Sequence, residues 1–236
     1  MTSSTSRRGS RAPSTSFGPL STVRYTVNGV DFDMVRVPPG RFVDGEGPER
    51  RELLVSQPFE LGAAPVTQAL WRAVMGSSPS RFQGEDRPVE QVSWDGAQQL
   101  MVALARRGFP GFRLPTEAEW VWAARCGAPT WWAGADRAKS AAVVNARQTA
   151  AVAGLSSSAV GALDFSGNVS EWVGDWYRSA PPAGVDAQGP ASGSIRVFRG
   201  GSWVNDPQYA RVAYRNFIDP GFRDYILGVR LLRTAP

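Results

Sequence analysis

From about residue 130 onward, the chain has no stretch that could make a long helix. Glycine, proline, serine and aromatic residues recur every few positions, and only short alternating runs separate them. Glycine and proline break both helix and strand, so this half must be short strands joined by shaped loops. Strands and helices do not alternate regularly, which excludes a βαβ sheet, and no unit repeats at a fixed period.

The first half is more regular. Val23 to Val27 and Val30 to Val37 alternate around Asn28-Gly29, a pair that accepts positive φ at both turn positions and so predicts a hairpin. Phe59 to Ala63 reads as another short strand. Ser93 caps a predicted helix with Trp94, Ala97, Leu100, Met101 and Leu104 on one face, closed by Arg106, Arg107 and Gly108. Thr116-Glu117-Ala118-Glu119 after Pro115 is a capping box, and it starts a helix with Trp120 and Ala123 inward that stops at Gly127. A shorter helix follows Thr67. The expected class is α+β, with few helices, short twisted strands and much irregular loop. Residues 1–20 are a disordered Ser/Thr/Arg-rich tail, and 21–236 form one domain.

Composition narrows the chemistry. With 236 residues, 42% apolar and 20% charged, the chain is globular and long enough to bury a core. It has one cysteine, Cys126, and no histidine. That excludes a disulfide framework, a cysteine-rich zinc site, a Ser-His-Asp triad and any imidazole acid or base. The net charge is +5, but Arg7, Arg8, Arg11 and Arg24 precede the first acid, and without them it falls to +1. The folded body therefore carries no basic stripe for a nucleic-acid groove. No apolar run is long enough to span a membrane, and no signal segment or lipid-attachment cysteine stands near the start, so the expected location is the cytoplasm.

Several features could carry chemistry, each with a plainer reading beside it. Gly45-Glu46-Gly47 lacks the lysine and helix start of a phosphate loop. The sequon at Asn168-Val169-Ser170 is read as structural. Cys126 closes an alanine-rich helix with no partner base or metal, and reads as a buried inert thiol. The nine tryptophans bolt a loop-rich core together through their polar tips, or else form a sugar platform. Asp164 and Glu171 with the backbone at Gly167 and Val169 make an acidic loop, either a hard-cation site or a salt-bridged turn. Between residues 204 and 229, Val204, Asn205, Asp206, Tyr209, Tyr214, Asn216, Phe217, Ile218, Asp219, Phe222, Asp224, Tyr225 and Ile226 fit neither a period of 2 nor one of 3.6. Rigid rings mixed with short polar groups are the composition of a contact surface. Arg211, Arg215, Arg223 and Arg230 read as framework residues that bind carbonyls or acids.

Five segments occur together: Pro88-Val89 through Val92-Ser93-Trp94-Asp95; Phe112-Arg113-Leu114-Pro115-Thr116-Glu117; Gly167-Asn168-Val169 through Glu171-Trp172-Val173; Arg199-Gly200-Gly201-Ser202-Trp203; and Gly228-Val229-Arg230. In this order they resemble the formylglycine-generating-enzyme (sulfatase-modifying factor) family, which implies a C-type-lectin-like fold. The resemblance also implies an oxidase whose copper is held by two cysteines, but the matching positions here are Asn205 and Ala210. The family's iron-dependent branch needs histidines, which are absent. The family's calcium loop matches at Asp164, Gly167, Val169 and Glu171, implying a structural calcium and no catalytic cofactor.

The segment at 204–229 resembles the variable region of diversity-generating-retroelement variable proteins, where asparagine codons of a template become NNY codons. Such codons never encode Lys, Glu, Gln, Trp or Met, and all thirteen positions avoid those types. The expected function is non-catalytic display of a diversified patch to a protein or cell-surface ligand. An inactive oxidase relative and an adaptor with one fixed partner are the alternatives.

Overall fold

The computed structural model describes residues 20–45, 50–126, 130–137, 142–152, 158 and 160–234. The expected tail up to residue 19, the Glu46-Gly47 pair and the helix stop at Gly127 lie outside these residues. The hairpin forms as expected: β1 (Thr22–Val27) pairs antiparallel with β2 (Val30–Val37), Val27 opposite Val30. Asn28 and Gly29 take φ of 49° and 79° in the turn.

Three helices follow their sequence signals. Helix α1 (Gln68–Met75) is capped by Thr67 and α2 (Trp94–Arg106) by Ser93. Helix α3 (Glu117–Arg125) has the full capping box, the Thr116 hydroxyl accepting from the Glu119 amide and the Glu119 carboxylate accepting from the Thr116 amide. It ends with Cys126 in the left-handed region.

Among the described residues, the strands make three sheets. β1, β2, β5 (Phe59–Gly62), β12 (Leu232–Thr234) and β6 (Phe112–Arg113) lie side by side in that order, so the chain's two ends meet in one sheet. The second sheet runs β10 (Asn216–Ile218), β9 (Arg196–Arg199), β7 (Ser170–Trp176) and β11 (Leu227–Val229). The third joins β3 (Gly40–Asp44), β4 (Arg51–Val55) and β8 (Gly184–Val185). One core gathers around α3, with Trp120, Trp122, Phe59 and Phe165; a second lies under α1 and α2, with Leu70, Trp71, Leu100 and Trp172. The fold is α+β with short strands and long irregular connections. Among the described residues, no helix is long and apolar enough to cross a membrane.

The tryptophans are mostly rivets. Trp120, Trp122 and Trp172 are fully buried, and their indole N–H groups donate to Glu171, the Pro38 carbonyl and the Val92 carbonyl. Trp94 and Trp176 clasp the Arg196 guanidinium between their faces. Burial pushes the Cys126 thiol up to about 12, so it stays protonated at neutral pH. Asn168 is fully buried and its amide exchanges hydrogen bonds with both backbone groups of Ala150, a structural role for that asparagine.

Candidate functional site

The segment carrying the thirteen positions begins where β9 ends. Gly200 and Gly201 both have positive φ, 90° and 64°. A Cβ on either would come within 2.7 Å of a carbonyl oxygen, that of Phe165 for Gly200 and that of Tyr209 for Gly201. Only glycine fits both requirements, and the double turn throws the chain back across the sheet. Asn205 closes the next loop, its Oδ1 accepting from the amide and hydroxyl of Ser202 at 2.8 Å each. A 3-10 turn at Pro207–Ala210 follows, then β10, which returns to pair with β9 with Phe217 opposite Val197.

This path is pinned from below. Arg199 is fully buried and donates to the carbonyls of Val212 at 3.0 Å and Tyr214 at 3.3 Å. The Val212 amide donates to the Trp131 carbonyl at 2.9 Å. Further on, Trp94 and Gln91 donate their amides to the carbonyls of Pro220 and Asp224. The carboxylates of Asp219 and Asp224 accept from the amides of Gly221 and Ile226, two residues ahead of each. The backbone is thus set by the scaffold, while many of the side chains point away from it.

The segment lines a cleft of about 570 Å³ walled by Tyr177, Tyr209, Tyr214 and Phe217, with Arg211 and Arg215 at its edge. Phe217 stacks on Tyr177 at 3.7 Å between ring centroids, and Tyr209 meets Tyr214 edge-on at 5.1 Å. Even so, Tyr214 and Phe217 are 36% and 45% exposed. Arg211 lies over the Trp131 ring at 4.5 Å, and Trp131 is itself exposed.

The other positions lie elsewhere. Val204, Asp206, Asp219 and Phe222 are exposed but do not line this cleft. Tyr225 is half-buried in a separate aromatic group with Trp203 and Phe82. Ile218 and Ile226 lean on the second core. Asn216 is half-buried in β10. Of the five rings among the thirteen positions, Tyr209, Tyr214 and Phe217 share the cleft, and Phe222 and Tyr225 do not. Tyr177 went unrecognised because it stands just past β7, some thirty residues of chain before the variable segment, with no pattern linking it to Phe217.

Beneath the cleft lies a buried ion network. Glu117 accepts from Arg199 and is gripped by Arg215 through two nitrogens, one at 3.0 Å, with Arg51 at 3.9 Å. Asp44 meets Arg51 at 2.7 Å, Arg199 at 3.2 Å and Arg125 at 3.7 Å. Burial works to raise the Glu117 carboxyl, but Arg199, Arg215 and Arg51 together hold it below its ordinary value. Arg51 is pulled down, chiefly by burial, with repulsion from Arg199 and Arg215 adding to it.

The positions that the resemblance assigns to copper ligands do not fit a thiolate metal site. Asn205 is spent on Ser202, and Ala210 is buried and has no donor atom. In the acidic loop, Glu171 takes Arg230 through both oxygens, at 2.9 and 2.7 Å, and the Trp120 indole at 2.6 Å. Asp164 is buried beside it, accepts from the Asn168 amide at 3.3 Å, and is pushed up chiefly by burial. Among the described residues no group of three or more acidic, cysteine or histidine side chains could hold a metal. Asp164 is thus a buried carboxylate with one weak neutral donor, beside a Glu171 whose two oxygens are both engaged.

A family model described as the sulfatase-modifying factor enzyme 1-like domain matches residues 26–235. A formylglycine-generating enzyme from Streptomyces coelicolor is 33% identical over 72% of this chain and 60% of its own length. The chaperone protein LppX of Paenibacillus barcinonensis is 27% identical over 87% and 90%. Among solved structures, Treponema denticola variable protein 1 superposes with a TM-score of 0.84 and 31% identity, over 91% of this chain and 99% of that one.

Proposed function

The chain belongs to the sulfatase-modifying factor enzyme 1-like family, and from that premise we propose that it is a non-catalytic member that displays a diversified ligand-binding surface on a rigid lectin-like scaffold. The observation that carries this reading is the cleft itself. Its rings are held at the surface by a backbone whose hydrogen bonds run to the scaffold, so side chains there can change without disturbing the fold. The likeness to a variable protein over nearly the whole chain supports it. Residue identity at Asn205 and Ala210 supports the loss of the oxidase chemistry carried by other members.

The mechanism is surface complementarity. Tyr177, Tyr209, Tyr214 and Phe217 supply rigid apolar area at small entropic cost, and Arg211 and Arg215 supply directional donors. Val204, Asp206, Asp219 and Phe222 extend the surface beyond the cleft. A structural calcium belongs to this reading as a stiffener of the acidic loop. Asp164 and Glu171 with the Gly167 and Val169 carbonyls would hold it.

The DNA around the gene tests the proposal. A reverse-transcriptase gene nearby, with a near-copy of the gene's 3′ end that differs at adenines, is the expected finding. An identical 3′ end in every sibling cell, with no template copy, would overturn diversification and favour a fixed partner.

A further inference from the structure

Away from the segment at 204–229, a second cavity of about 470 Å³ opens between the start of α2, the end of β7 and the loop ahead of β9. Trp94, Gln98, Arg113, Asp175, Gln188 and Arg196 are among its lining residues, and none of the thirteen positions is. Arg196 is only 8% exposed, yet among the described residues it joins no ion pair. The indoles of Trp94 and Trp176 cover the faces of its guanidinium at 3.7 and 3.3 Å, and Nη1 donates to the Gly174 carbonyl at 2.7 Å. Nε is buried without an acceptor, and Nη2 has none among the described residues either. With both faces covered and Nη1 spent on the sheet, Nη2 is the donor left for the cavity.

The neighbouring charges are occupied elsewhere. Asp175 gives its two oxygens to the amides of Glu117 and Gly189, and Arg113 is held by both oxygens of Glu119. Burial pulls the Arg196 guanidinium down to about 10, although Asp175 and Asp95 both act to raise it. A guanidinium out of water gains from an oxyanion that meets its open edge.

We propose that this cavity is a carboxylate-binding site, in which the ligand accepts from the Nη2 edge of Arg196 and is steered by the side-chain amides of Gln98 and Gln188. Neither glutamine side chain has a protein partner among the described residues. The volume suits a chain end of a few residues or a single sugar acid, which carry the same group. The site stands apart from the display surface, so the failure of either leaves the other intact.

Nuclear magnetic resonance of the full chain tests this, with the Arg196 Nε–H and the Trp94 and Trp176 indole N–H signals as reporters. The probes are acetyl-trialanine against its C-terminal amide, and glucuronate against glucose. At least one acid should shift the reporters saturably, and its uncharged counterpart should bind about tenfold more weakly. A response to acetyl-trialanine identifies a chain end as the source, and a response to glucuronate alone identifies a sugar acid.

Arg196→Lys should abolish the response. Gln98→Ala/Gln188→Ala should weaken the acid about threefold or more at an unchanged melting temperature, and it decides alone if Arg196→Lys does not fold. Equal binding of acid and uncharged counterpart, no response to either acid at millimolar concentration, or binding indifferent to the glutamine variant overturns the site. Inorganic phosphate that binds more tightly than both acids overturns the carboxylate in favour of a phosphate.

Discussion

Glu117 has two roles, and only one was visible in the sequence. As the first residue of α3, it reads as an acid favoured by the helix N-terminus. In the folded chain it is also the anion shared by Arg199, Arg215 and Arg51, residues brought from β9, the variable segment and β4. No spacing rule links those positions. Arg215 and Arg230 were legible only as residues that bind acids or carbonyls, and Arg199 only as the start of a family segment, because their partners depend on which strands become neighbours.

The consequence is measurable. A carboxyl held below its ordinary value contributes stability that is present above the unfolded value of about 4.5 and lost as pH falls through the lower folded value. Glu117→Gln should therefore cost about 3–5 kcal/mol in urea unfolding at pH 7, since it strands buried guanidiniums. The gap to the parent should narrow below about pH 4.5. A gap that is constant across that range would show that the charge of Glu117 does no stabilising work.

Local elements were readable wherever the signal was local. The hairpin turn, the three helix caps and the inward faces of α2 and α3 follow from neighbouring residues, and the structure has them all. The sheet order β10-β9-β7-β11 follows from none, because its parallel β7–β11 pair joins residues more than fifty apart in sequence. For the same reason the thirteen scattered positions could be noticed but not sorted into cleft, second aromatic group and core edge.

The sorting makes a contrast between two variants. Gly201→Val puts a branched side chain at φ 64° against the Tyr209 carbonyl and should cost about 1–3 kcal/mol or more. Replacing Tyr214, Phe217 and Phe222 together by serine removes exposed rings and should change stability by about 1 kcal/mol or less. Thermal melts of the two decide whether the segment is a frame with free side chains. A large loss in the triple variant would mean that its rings are core.

Across the whole molecule the two cores meet at Arg230, which lies between β11 and β12. Its guanidinium donates to the Gly62 carbonyl at 2.9 Å, the Leu163 carbonyl at 2.6 Å and both oxygens of Glu171. One cation thus ties the terminal sheet to the sheet that carries the variable segment, and Asp164 is left buried next to it. A second cation at Asp164 would tighten that junction, and because the junction joins both cores, the effect should appear in global unfolding.

A ligand bound only by the native state stabilises it in proportion to the logarithm of its concentration, by about 2.7 kcal/mol at a hundred times the dissociation constant. Millimolar calcium should therefore raise the melting temperature and EGTA should reverse the rise. Magnesium, which demands tighter octahedral geometry, should do less. Asp164→Ala should remove the response while leaving the fold intact. A melting temperature unmoved by calcium in the parent chain would mean that Arg230 alone holds the acidic loop, and that the loop needs no metal to support the surface above it.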